Sequence, residues 1–329
     1  MQARLSSRSL VGLLAVLLLA PLTALPFAEP VVASPVFDDE ELSRQFLQGM
    51  AALVKDGDVL TGAMALEQAQ TTAGRAVGLP AEAMPPSLAT NTPLYDAVVP
   101  AVVAVSSIYT CDRCSDWHLG GMGSGWLLSA DGLVVTNHHV IERDPGHRLG
   151  VMTSDGEVFA ITEVVASDPV GDAVVVRIDT KGRKLPFLAI GRAPDCGTAV
   201  SVIGHPVGRF YCLNEGVVSR FHRQQPAGWD AHAPRGQGRS DKPVWMSITA
   251  DYTVGSSGGP VINAAGEVVG MVSRTVTSSQ AKPEEGRNRR RPLAGETIVF
   301  KDCVSSETLH KLLHGHPKAA PADTAAAAR

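Results

Sequence analysis

From about Leu94 onward the chain repeats one texture. Short runs rich in valine and isoleucine alternate with turn residues, and no helical stretch separates them. The runs are VVPAVVAVSSIY, GSGWLLSADGLVVTNHHVI, DAVVVRID, AVSVIGHP, EGVVSRF, GPVINAAGEVVGMVS and ETIVFKD. β-branched segments of this length, bounded by Gly, Pro, Asn and Asp, read as strands. Ala130-Asp131-Gly132 and Ala265-Gly266 each sit between two apolar runs, where hairpin turns belong. Strands at this spacing, without helices between them, call for an all-β sandwich or barrel.

The residues before Leu94 read differently. Arg4 and Arg8 precede the apolar run LVGLLAVLLLAPLTAL, and small residues follow it. That order is a secretory signal over residues 1–33, with cleavage after Ala28 or Ala33. The competing reading is an uncleaved membrane anchor, but the run is short for a span and Pro21 shortens it further. Residues 34–92 form an extension and linker. In FDDEELSRQFLQGMAALVKDG, Phe37, Leu42, Phe46, Leu47, Met50, Leu53 and Val54 recur at three- and four-residue steps, which predicts a helix. Asp38, Asp39, Glu40 and Glu41 stand at its start, where the helix dipole favours them. A second helix is expected over Ala63–Ala76, then the proline-rich linker GLPAEAMPPSLATNTP. Residues 93–313 make the β domain, and 314–329 a disordered tail. The segments Arg223–Pro243 and Ser278–Ala294, the latter with its GRNRRRP run, read as solvated surface loops. A formal net charge of −4 gives no reason to expect bulk nucleic-acid binding.

Five cysteines leave at least one thiol unpaired within the chain. Cys111 and Cys114 form a CxxC. Zinc usually takes a second ligand pair at similar spacing; none appears, and His118 adds only a third ligand. In an exported chain a small loop disulfide between Cys111 and Cys114 is the better expectation. Cys196, Cys212 and Cys303 cannot be paired from sequence.

One loop asks for a chemical explanation: ADYTVGSSGGPV, in which Gly255-Ser256-Ser257-Gly258-Gly259 ends at Pro260. Glycine is costly to order unless the backbone needs unusual dihedrals or close approach. A serine there is either a turn residue or a nucleophile, and a nucleophile needs a base to take its proton. Candidates lie upstream: VVTNHHVI ends an apolar strand in His138 and His139, and SDPVGDAVVVRID places Asp172 just before another, with Asp168 four residues earlier.

These segments, in this order, resemble the chymotrypsin-fold serine proteases, and in particular the protease domain of the HtrA/Deg type. GSGWLLSADGLVVTNHHVI is similar to that family's approach to its histidine and GDAVVVRID to its Asp strand. VSVIGHPVGRFYCLNEGVVSR is similar to its IGNPFG…GIVS segment, and GSSGGPVINAAGEVVGMV to its nucleophile segment. Leu309–Leu313 resembles the start of its closing helix. The resemblance implies two six-stranded antiparallel β-barrels, a short C-terminal helix and a Ser-His-Asp endopeptidase. It implies His139 as base, Asp172 as its orienting carboxylate and Ser257 as nucleophile, with Gly255 and Ser257 N–H groups as the oxyanion hole. His138 and Ser256 become neighbours, and Asp168 is the alternative to Asp172 whose distance from the strand fits worse. In the trypsin branch the residue six before the nucleophile lies at the base of the specificity pocket, which places Asp251 there, with Tyr252 beside it. No cofactor and no metal are implied, and polypeptides are the expected partners. The HtrA type carries PDZ modules after the protease; none is expected here. The alternatives are a catalytically silent protein of the same fold used for binding, and a metal or redox protein built on Cys111-x-x-Cys114.

Overall fold

The computed structural model describes residues 35–57, 59–78, 93–223, 242–277 and 298–314. The signal, most of the linker, both polar loops and the tail read from the sequence lie outside these residues.

The first barrel is built from β1 (Val102–Cys111), β3 (Gly123–Leu127), β4 (Leu133–Thr136), β5 (Arg148–Met152), β6 (Val158–Asp168) and β7 (Ala173–Ile178). The strands run in the order β1-β3-β4-β7-β6-β5, and β5 pairs back onto β1 to close the ring. β2 (Cys114–Leu119) continues the β3 edge along the outer end of β1 as a hairpin. The second barrel closes in the order β10-β13-β12-β11-β8-β9. Its strands are β8 (Ala199–Gly204), β9 (Cys212–Arg223), β10 (Val244–Ile248), β11 (Pro260–Ile262), β12 (Val268–Thr277) and β13 (Val299–Ser305). All these pairings are antiparallel. This is the two-barrel chymotrypsin fold that the resemblance implies.

Side chains alternate across a strand, so a strand apolar on both faces serves two cores. Val103, Val105, Leu127, Val134, Val174 and Val176 fill the first barrel. Their neighbours Val102, Ala104, Trp126, Val135 and Val175 point outward and are buried against the second barrel and the helices. Ile203, Tyr211, Trp245, Ile262 and Met271 meet them from the other side. Val202, Met246, Ile248, Val261 and Val272 fill the second barrel.

Helix α1 (Asp39–Asp56) forms where the apolar periodicity places it. Asp38 caps it by accepting from the Glu41 amide at 3.0 Å, and Leu42, Phe46 and Met50 are buried. Helix α2 (Gly62–Thr71) is shorter than expected: the chain turns at Gly74, φ 74°, and Ala73 bridges to Ser167 on β6 instead. Residues 94–98 are a short helix, α3 (Leu94–Val98), and β1 starts only after Pro100. The closing helix is α5 (Ser306–His314), with Leu309, Leu312 and Leu313 buried. Among the described residues no helix is long and apolar enough to cross a membrane.

Candidate active site

β4 pairs with β7, Thr136 opposite Val174, so the residues just past one strand and just before the other share one end of the first barrel. A one-turn helix, α4 (His138–Ile141), follows β4 and points its two histidines apart. His138 is buried and its Nδ1 lies 3.1 Å from the Glu142 carboxylate. His139 is exposed, and its Nδ1 lies 2.9 Å and 3.0 Å from the two oxygens of Asp172. Asp172 sits at φ 56°, a left-handed conformation that aspartate tolerates better than most residues. Asn137 holds that turn by donating to the Asp172 carbonyl at 2.8 Å, and the His139 amide donates to Asp172 Oδ1 at 3.2 Å. The carboxylate thus grips both ends of the histidine. Asp168, the other carboxylate in this segment, accepts from the Gly171 amide at 2.8 Å and serves the turn.

The serine loop comes from the second barrel. Gly255 stands at φ 96°, and a Cβ there would lie 2.3 Å from the His205 carbonyl oxygen. Gly258 stands at φ 88°, where a Cβ would lie 2.0 Å from the Ser124 carbonyl oxygen. Both positions therefore require glycine for conformation and for space. Ser124 on β3 ties the loop to the first barrel: its amide donates to Ser257 O at 2.7 Å and its hydroxyl to Gly255 O at 2.8 Å. The Gly258 amide donates to Val272 O and the Gly259 amide to Ser256 O. The amides of Gly255 and Ser257 have no acceptor among the described residues. Ser256 is buried; Ser257 is half-exposed. Pro260 opens β11, where its missing N–H costs nothing.

A second serine links the Asp172 carboxylate to the Ser257 hydroxyl, and the sequence does not single it out. Ser273 on β12 donates its hydroxyl to Asp172 Oδ2 at 2.6 Å, and its carbonyl accepts the Ser257 hydroxyl at 3.1 Å. The only mark it leaves in the sequence is a polar residue ending the apolar run GEVVGMV. The Ser257 hydroxyl in this structure rests on Ser273 rather than on the His139 ring.

The pocket residues expected from the resemblance lie at one another's side. Asp251 is exposed, and its carboxylate is 3.5 Å from Lys301 Nζ. Tyr252 is buried, with its hydroxyl donating to the carbonyls of Arg274 and Asp302, both at 3.0 Å; burial raises its pKa. Beneath the serine loop, His205 is fully buried. Its Nδ1 accepts from the Tyr211 amide at 3.1 Å, and burial pushes its pKa down to about 4. Cys111 and Cys114 face each other across the β1–β2 tip as thiols, their sulfurs 3.2 Å apart. Cys196 is exposed and Cys212 half-buried; Cys303 is buried, which lifts its thiol to about 12.

Residues 123–271 match the trypsin-like peptidase domain family, from β3 into β12, and include His139, Asp172 and Ser257. A probable periplasmic serine endoprotease, DegP-like, of Pseudomonas fluorescens is 36% identical over 160 residues. Over these residues the chain is similar to the trypsin-like serine proteases of the HtrA type. The HtrA-type match reaches across kingdoms. Serine protease HTRA1 of Xenopus tropicalis is 35% identical over 187 residues. Protease Do-like 5, chloroplastic, of Arabidopsis thaliana is 29% identical over 227 residues, which is 64% of this chain and 67% of that relative. The Pseudomonas and Xenopus matches cover 48% and 56% of this chain, but only 30% and 38% of the relatives. The chain thus spans about a third of the length of these HtrA-type proteins.

Proposed function

We propose that the chain is an exported serine endopeptidase that hydrolyses peptide bonds through an acyl-enzyme intermediate. Ser257 is the nucleophile, His139 the general base and Asp172 the carboxylate that holds the imidazole. The observation that carries this reading is the pairing of His139 Nδ1 with Asp172 at 2.9 Å, on a carboxylate that Ser273 links to the Ser257 hydroxyl. A carboxylate on Nδ1 fixes the tautomer, leaving Nε2 free to accept a proton, and stabilises the imidazolium that forms.

The reaction follows from these positions. The Ser257 hydroxyl turns about its Cα–Cβ bond from the Ser273 carbonyl toward His139. Oγ attacks the substrate carbonyl carbon while Nε2 takes the proton. The carbonyl oxygen, now anionic, is met by the amides of Gly255 and Ser257, which have no acceptor among the described residues. Each such donor is worth about 3–4 kcal/mol to the transition state. Collapse expels the amine, which takes its proton from His139. Water then attacks the acyl group on Ser257 with His139 again as base, and the acid product leaves.

Polypeptides are the substrates. Asp251 is half of an ion pair with Lys301, so a specificity pocket based on it would be closer to neutral than a lone carboxylate makes it. Export rests on the basic-then-apolar start of the chain and on the periplasmic relatives. The test is cleavage of an unfolded protein such as reduced casein by the mature chain and by Ser257→Ala. Loss of on the order of 10⁶ in turnover is expected. Activity within tenfold of wild type in Ser257→Ala contradicts the assignment, and an inactive wild type supports the silent, binding-only alternative.

A further inference from the structure

Three side chains of metal-ligating chemistry converge at the tip of the β1–β2 hairpin, and the peptidase reading uses none of them. The tip is the two-residue turn Asp112-Arg113, with Cys111 opposite Cys114. Along β2, Cys114, Asp116 and His118 are two residues apart, so the pleat puts them on one face. Cys114 Sγ lies 3.2 Å from Cys111 Sγ and 2.9 Å from His118 Nε2. All three ligand atoms lie within 4.8 Å of one another. Cys114 is exposed and Cys111 half-buried, so an ion has a path in.

We propose that Cys111, Cys114 and His118 form a binding site for a zinc-class divalent ion, with the fourth position left to water or to the Asp116 carboxylate. Two thiolates and an imidazole suit a borderline-soft ion, and two thiolates balance its charge. Tetrahedral zinc with Zn–S near 2.3 Å and Zn–N near 2.05 Å needs S···S of about 3.8 Å and S···N of about 3.6 Å. The two short separations must widen by about 0.6 Å and about 0.7 Å. A solvent-facing hairpin tip can give that much without disturbing either barrel. The sequence offers His118 only as a third ligand of unknown placement; in the structure the pleat of β2 puts it on the face of Cys114, with Nε2 2.9 Å from that sulfur. The disulfide expected from the sequence would use the same two sulfurs and leave His118 without a role.

The proposal does not rest on the peptidase reading, and its test reads metal rather than proteolysis. The folded, reduced, metal-free chain is titrated with Zn²⁺ against a chromophoric chelator, and with Co²⁺ while thiolate-to-cobalt charge-transfer absorption is followed. One ion per chain is expected, with the charge-transfer band and a raised melting temperature. His118→Ala should weaken Zn²⁺ binding by ~10-fold or more, and Cys111→Ser should abolish the band while keeping a cooperative melt. Three results overturn the site. The first is binding no tighter than in Cys111→Ser/Cys114→Ser, and the second is unchanged affinity in His118→Ala. The third is exported protein that carries a Cys111–Cys114 disulfide in every molecule.

Discussion

Two adjacent histidines show how much one side-chain direction decides. His139 faces Asp172 and solvent, while His138 turns inward to Glu142. His139→Ala should therefore cost about as much turnover as loss of the serine, because the cluster acts as a unit. His138→Ala should stay within severalfold of wild type; the reverse order in purified variants would put the base at the wrong residue. Ser273 carries no comparable signature, because a serine ending an apolar run looks the same whether it braces a carboxylate or faces water. His205 offers a test by pH. Its folded pKa of about 4 lies below the ordinary 6.5, so between those values the unfolded chain binds a proton that the folded chain refuses. Its contribution to stability is complete above pH 6.5 and is lost as pH falls toward 4. A fall from 6.5 to about 4 corresponds to about 3 kcal/mol. Urea unfolding across that range should show a flatter pH dependence in His205→Asn than in wild type. Parallel slopes in the two proteins would contradict the burial argument.

Among the elements, α1 links the extension to the active site. Asp39 Oδ1 accepts from the Phe210 amide at 2.9 Å, and the Phe37 ring lies 4.8 Å from that of Tyr211. Phe210 and Tyr211 end the segment that begins at His205, whose carbonyl faces Gly255, and the Val207 amide donates to Val254 O at 2.7 Å. The helix therefore braces the loop on which Gly255, the proposed oxyanion donor, rests. Asp39→Ala should lower stability by about 1 kcal/mol, speed amide exchange over residues 205–211 and reduce kcat more than it raises KM. Unchanged exchange in that segment would leave α1 as packing alone. Helix α1 was legible because seven apolar residues recur at helical steps. Strands β5 and β6 were not picked out. β6 slips register between Ile161 and Glu163 and again between Val164 and Ala166, which breaks the alternation that marks a strand. The strand foreseen from Val98 begins later, because Pro100 sits in a 3-10 turn that first has to end.

At the scale of the molecule, neither barrel alone holds the residues of the proposed reaction. The first supplies His139 and Asp172, the second Ser257 and Ser273, and they meet across a core that includes Trp126, Tyr211 and Trp245. The two-barrel plan was legible because four motifs fell in family order, each at a strand end. The bond that joins the halves, from Ser273 to Asp172, spans 101 residues and two barrels, and no local pattern announces it. Docking of the barrels thus sets the distance between the proposed base and nucleophile, and on this proposal Ser257 differs in reactivity from the other serines. The measurement that tests this most directly is labelling of the folded mature protein with a fluorophosphonate, followed by peptide mapping. The account predicts one adduct, on Ser257, that is lost in His139→Ala and after unfolding. No adduct in the wild type, or an adduct on Ser256 or any other serine, would contradict it.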